Sequence, residues 1–114
     1  MEISINKIKN YSKQEQTIVI RDNDICLIDG KSCYEKVLSK DVEFINNIED
    51  KLARIMFCWK DEYIGARSFD GEKYHITVDI NHKKKKYKIQ NKFPDNWDEF
   101  LELQKLIMEG EGYD

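Results

Sequence analysis

The side chains of this 114-residue sequence best suited to nucleophilic, acid–base or metal chemistry are few. They are His75 and His82, the thiols of Cys26, Cys33 and Cys58, and the close carboxylates of Asp22-Asn23-Asp24 and Asp70/Glu72. A structural zinc site needs four Cys or His ligands, usually in pairs separated by about two to four residues. The two histidines stand seven residues apart, neither has a cysteine near it, and no C-x-x-C occurs. Asp22-Asn23-Asp24 has acidic character, but it lacks the alternating ligand positions and closing glutamate of an EF-hand, so a turn is expected there. No G-x-S-x-G, phosphate-binding glycine loop or dinucleotide fingerprint is present. A Cys–His pair assembled by the fold would have no local motif, and that possibility stays open. The sequence predicts no catalytic residue, no metal and no cofactor. It places His75 on the outward side of a strand and His82 in a turn.

The elements that position these groups are legible in the apolar pattern. Ile3, Ile5 and Ile8 begin a strand, and Thr17–Ile20 and Ile25–Ile28 flank an Asp/Asn-rich tetrapeptide, which predicts a hairpin. Ser32–Leu38 can hold a short strand, but Tyr34 and Val37 are too irregular to decide it. Asp41 can cap a helix over about 41–62, because Ile45, Ile48, Leu52, Ile55, Trp59 and Tyr63 recur at steps of three and four. Gly65 is the expected stop. Tyr74, Ile76, Val78 and Ile80 alternate with polar residues, as do Tyr87 and Ile89. With the turn at Asn81-His82-Lys83, Ile76 is expected opposite Ile89, Val78 opposite Tyr87, and Asp79 opposite Lys86. Pro94 ends the strands. Asn96 with Glu99 predicts a capped helix over Trp97, Phe100, Leu101, Leu103, Leu106 and Ile107, stopped by Gly110.

The expected architecture is therefore α+β: a mostly antiparallel sheet of four to five strands with two helices on one face, in the order β-β-β-α-β-β-α. Residues 1–110 form a single domain and 111–114 a flexible tail. No window reaches the roughly 18 apolar residues of a membrane span. The opening MEISINKIKNYSK lacks the apolar core of a secretion signal. Three cysteines cannot all pair within the chain, so reduced thiols serving as small apolar side chains in a cytoplasmic protein are expected. Aromatic residues make up 11% of the sequence, and most fall on the apolar faces, which points to core packing.

The segments CWKDEYIG, DGEKYHITVDI and YKIQNKFPDNWDEFLEL, together covering most of residues 58–103, resemble a pattern in small, uncharacterised α+β proteins of low-GC bacteria. The matching positions are Trp59, Asp70, Gly71, Pro94, Asn96, Trp97, Glu99 and Phe100. The resemblance implies a sheet-plus-helix domain and no substrate, cofactor or functional residue.

Charge is the most informative feature left. The formal net charge is −3, yet residues 73–92 hold seven basic side chains and one acid, and residues 93–114 hold seven acids and one base. A small acidic body can cover the basic surface of a toxin or nuclease without any catalysis. The expected function is accordingly an inhibitor acting by protein–protein binding, such as an immunity protein or an antagonist of a nucleic-acid-handling enzyme. Asp61, Glu62, Asp98, Glu99 and Glu102 are the candidate contacts, and acids of the first helix, Glu49 among them, are expected to add to the patch. The partner is expected to be basic rather than a nucleic acid or a membrane, with the chain itself a monomer or weak dimer. The alternative is a nucleic-acid accessory protein binding through Lys83, Lys84, Lys86 and Lys88. A small-ligand-binding domain is the third possibility.

Overall fold

Residues 1–9, 15–29, 34–38, 40–66, 71–80 and 82–109 are described in this computed structural model. Alternating β-branched residues drive the N-terminal third into a run of antiparallel strands: β1 (Glu2–Lys9), β2 (Glu15–Ile20), β3 (Ile25–Asp29) and β4 (Tyr34–Val37). Then come α1 (Val42–Met56), β5 (Glu62–Ile64), β6 (Glu72–Ile80), β7 (Lys83–Gln90) and α2 (Trp97–Met108). The described strands make one seven-stranded sheet in the order β4-β3-β2-β1-β6-β7-β5, antiparallel except where β5 runs parallel to β7.

The α+β class and the mostly antiparallel sheet agree with the sequence reading. The sheet is wider than four to five strands, and the order is β-β-β-β-α-β-β-β-α. The two additional strands are its edges, of four and three residues. Segments that short carry too little periodicity to be recognised. The predicted turn residues Gly30 and Asn81, Asp70 of the Asp70-Gly71 pair, Cys33, the stop at Gly110 and the tail 111–114 lie outside the described residues.

Register stacks the core in rows. Leu27, Ile18, Ile5, Ile76 and Tyr87 align across five strands, and Ile25, Ile20, Ile3 and Val78 align beside them. All are buried and belong to one cluster with Ile45, Ile48, Leu52, Ile55 and Met56 of α1 and Trp97, Phe100, Leu103 and Ile107 of α2. Both helices therefore pack on the same face of the sheet. Residues of the other parity point to a face that neither helix covers.

The start of α1 matches expectation: Asp41 Oδ1 accepts the Phe44 N–H at 2.7 Å, and Glu43 lies in the first turn. Its end does not, since the helix stops at Met56 rather than near 62. Trp59 and Tyr63 continue the helical spacing by coincidence. Trp59 sits in the connection that follows, its N–H bonded to Met56 O at 3.1 Å, and Tyr63 lies in β5. Both still reach the same core. The last carbonyls of α1, left open by helix geometry, find tertiary donors: Asn96 Nδ2 donates to Ile55 O at 2.9 Å and Tyr87 OH to Met56 O at 3.1 Å.

Gly65 is not a helix stop. It follows β5, where its backbone passes so close to Asn91 that a Cβ would collide with the Asn91 carbonyl oxygen. Gly65→Ala is expected to cost about 1–3 kcal/mol in urea unfolding. An unchanged midpoint would mean that the β5 end moves aside freely.

The β6–β7 hairpin is also two residues out of the expected register. Ile80 pairs with Lys83, Ile76 with Tyr87, Tyr74 with Ile89, and Asp79 with Lys84 rather than Lys86. The turn therefore closes at the Ile80–Lys83 pair, and His82 within it takes φ 67°, the left-handed backbone of tight hairpins. A slip of two keeps every side chain on its face, so the inward and outward assignments survive the error. At α2, Asn96 occupies the N-cap position without a side-chain cap bond. Its carboxamide oxygen instead accepts from Trp59 Nε1 at 2.6 Å, so the expected capping box with Glu99 does not form. Leu101 and Leu106, expected on the apolar side, are 39% and 42% exposed.

Candidate functional site

Strand alternation sorts the lysines. Tyr87 and Ile89 point into the core, so Lys84, Lys86 and Lys88 point to the uncovered face. Lys83 and Lys85 fall on the helix side, where Lys85 Nζ lies 5.2 Å from the Tyr87 ring centroid. On the uncovered face β6 adds His75 opposite Lys88 and Thr77 opposite Lys86, with Lys73 of the same parity two residues before His75. Three of the four lysines singled out in the sequence therefore come together with Lys73 and His75, and Lys83 is separated from them. Lys73 has the parity of His75 and Thr77, a signal already present in the sequence.

The five candidate carboxylates are divided. Asp61 and Glu62 border the lysine strip: Glu62 aligns with Lys88 along β5–β7, and both acids line a shallow cavity of about 350 Å³ with His75, Lys86 and Lys88. Asp98, Glu99 and Glu102 lie across the sheet, exposed on the outer side of α2. The helical spacing places Asp61 and Glu62 at the end of a helix, whereas α1 stops at Met56 and β5 turns them toward the other layer. Glu49 leaves the surface set altogether. It is 5% exposed, and its Oε1 has no hydrogen-bond partner among the described residues. Burial, with the Asp22 carboxylate adding, pushes its carboxyl up to about 7. Glu49 stands four residues after Ile45 and three before Leu52, so the helical stripe itself points it inward.

Acids sit beside the outward lysines, Asp79 opposite Lys84 and Glu62 opposite Lys88, but form no ion pair with them among the described residues. Among the described residues the ion pairs are Lys7–Glu72, Arg21–Asp24 and the Met1 amino group with Asp22. None involves Lys84, Lys86, Lys88, Asp98, Glu99 or Glu102. One buried polar group stands out: Tyr74 OH donates to Glu72 Oε2 at 3.0 Å, and Glu72 also pairs with Lys7 at 3.6 Å. Burial and then the Glu72 carboxylate hold the Tyr74 hydroxyl well above its usual range. Proton exchange at neutral pH is thereby disfavoured, and the pair acts as a structural tie.

Cys26 is buried on the uncovered face, where Arg21 Nη1 donates to its sulfur at 3.4 Å, and Cys58 is exposed. The expectation of small apolar side chains meets a buried Cys26 whose thiol also donates to Asp24 Oδ1 at 3.6 Å, and an exposed Cys58. No group of three His, Cys, Asp or Glu side chains among the described residues is arranged to hold a metal ion. None of the described helices is long and apolar enough to cross a membrane. Comparison with protein-family models, curated proteins and solved structures finds no match to this chain.

Proposed function

We propose that the chain is a binding protein, an inhibitor of the immunity-protein or enzyme-antagonist kind, that docks a basic protein surface through the outer side of α2. The observation that carries this reading is the make-up of that side. Asp98, Glu99 and Glu102 are exposed and without ion-pair partners among the described residues, and the partly exposed Leu101 and Leu106 flank them. Apolar anchors within a charged rim combine the two ingredients of specific docking: desolvated contact area and electrostatic steering. Asp61 and Glu62 lie on the other layer and contribute little to the same contact.

The test is the association rate with the protein encoded beside this chain, followed at low and high salt. Asp98→Lys/Glu99→Lys/Glu102→Lys is expected to slow association by about tenfold to a hundredfold at low salt, and Asp61→Lys/Glu62→Lys to leave it nearly unchanged. Equal rates for wild type and the triple variant reject the assignment. The alignment of Lys84, Lys86 and Lys88 on the uncovered face favours a second reading, a nucleic-acid accessory role. A gel shift at two salt concentrations decides it, because binding through a lysine strip falls steeply with salt. Binding that is present at low salt and lost in Lys84→Glu/Lys86→Glu/Lys88→Glu would replace the first reading.

A further inference from the structure

The helix layer leaves part of its sheet bare. Seven strands at about 4.8 Å spacing span about 29 Å, and two helices packed at about 10 Å each cover roughly 20 Å. An apolar groove of about 440 Å³ opens at the hairpin end of β6–β7, floored by Val78, Ile80 and Tyr87 and walled by Met56 and Phe57 at the end of α1. Phe57 is 86% exposed, an extreme value for a phenylalanine, and Lys83 and Lys85 line the same groove. An occupant suited to this site presents an aliphatic or aromatic anchor flanked by carboxylates.

The chain carries such an element. On α2, Glu99, Glu102 and Leu106 are spaced by three and four residues, which places them in one stripe. Leu106 is 42% exposed, and both glutamates face solvent. Groove and stripe lie on the same side of the sheet. Two copies facing each other across a two-fold axis can therefore place each α2 stripe against the other's groove, which closes the assembly at a dimer. We infer that this groove binds the α2 stripe of a second copy, with Leu106 entering beside Phe57 and Glu99 and Glu102 meeting Lys83 and Lys85. The inference stands independently of the basic partner. It also implies that dimerisation and partner binding exclude each other, since both use Glu99 and Glu102.

Sedimentation velocity over a concentration series tests it, run in reductant because Cys58 is exposed next to Phe57. Wild type is expected to dimerise weakly, in the upper micromolar range, and to dissociate as salt rises. Phe57→Asp, Lys83→Glu/Lys85→Glu and Glu99→Lys/Glu102→Lys are each expected to weaken the dimer by about tenfold or more, with unchanged circular dichroism because all five side chains are exposed. Mixing the two charge-reversed chains restores both contacts, so a mixed dimer is expected from two monomeric variants. A wild type that stays monomeric, a dimer indifferent to Phe57→Asp, or a mixture that stays monomeric overturns the proposal. A ladder of higher species overturns the two-fold closure.

Discussion

Replacing Trp59 with alanine is expected to remove about 3–5 kcal/mol of stability, the range for truncating a large buried aromatic. Trp59 is 4% exposed and meets Tyr87 edge-on at 5.7 Å, Trp97 at 5.8 Å and Phe100 at 5.4 Å. It thus joins the connection after α1 to β7 and α2 through one side chain. Domains of this size have about 5–15 kcal/mol in total, so the thermal midpoint is expected to fall by about 15 °C or more. Trp59→Phe keeps most of the ring packing but strips Asn96 Oδ1 of its donor, an expected loss of about 1–3 kcal/mol. Urea unfolding of both variants separates packing from hydrogen bonding. A Trp59→Ala unfolding free energy within about 1 kcal/mol of wild type would show that the aromatic cluster reorganises without it.

The second large effect is a pH dependence with an unusual sign. The Glu49 carboxyl is pushed up to about 7 in the folded chain from an ordinary value of 4.5, by burial first and then by the Asp22 and Asp50 carboxylates, with the Met1 amino group opposing. A raised folded value means that the native state holds the proton more tightly than the unfolded chain does. The stabilisation is therefore fully present below about 4.5, declines as pH rises toward about 7, and is absent above it. The expected size is about 1–3 kcal/mol between pH 5 and pH 8. Glu49→Gln keeps the shape and removes the charge, and should flatten this slope and raise stability at pH 8. The difference between wild type and Glu49→Gln isolates the residue from the other carboxylates, whose contributions cancel. Parallel pH profiles for the two proteins would refute a buried, proton-holding Glu49.

These residues also mark where the sequence could and could not be read. Strand faces were legible because side-chain period is a local property. Ile76 and Tyr87 point inward whether or not the turn is placed correctly, and a register error of two leaves them there. The α1 cap at Asp41 was legible because its partner, the Phe44 N–H, lies three residues away. The end of α1 was not, because nothing local distinguishes Trp59 as a fifth helical contact from Trp59 held by Asn96, which lies 37 residues on in the chain. Asn96 departs from its local signal for the same reason: its side chain serves two distant groups rather than its own helix. The candidate carboxylates were legible as charges, but the layer each one occupies depends on β5, which is too short to announce itself. Glu49 could have been recovered from its place on the α1 stripe.

β1 is translated before the strands on either side of it in the sheet, where Ile5 is paired on one flank with Ile18 and on the other with Ile76. A nascent chain can zip β2, β3 and β4 onto the first flank as they leave the ribosome. The second flank keeps its backbone groups bare until β6 has been synthesised and has emerged, out to residue 80. Throughout that interval the growing polypeptide presents an open strand edge rich in isoleucine, the kind of template that chaperones shield and that pairs readily with a neighbouring chain.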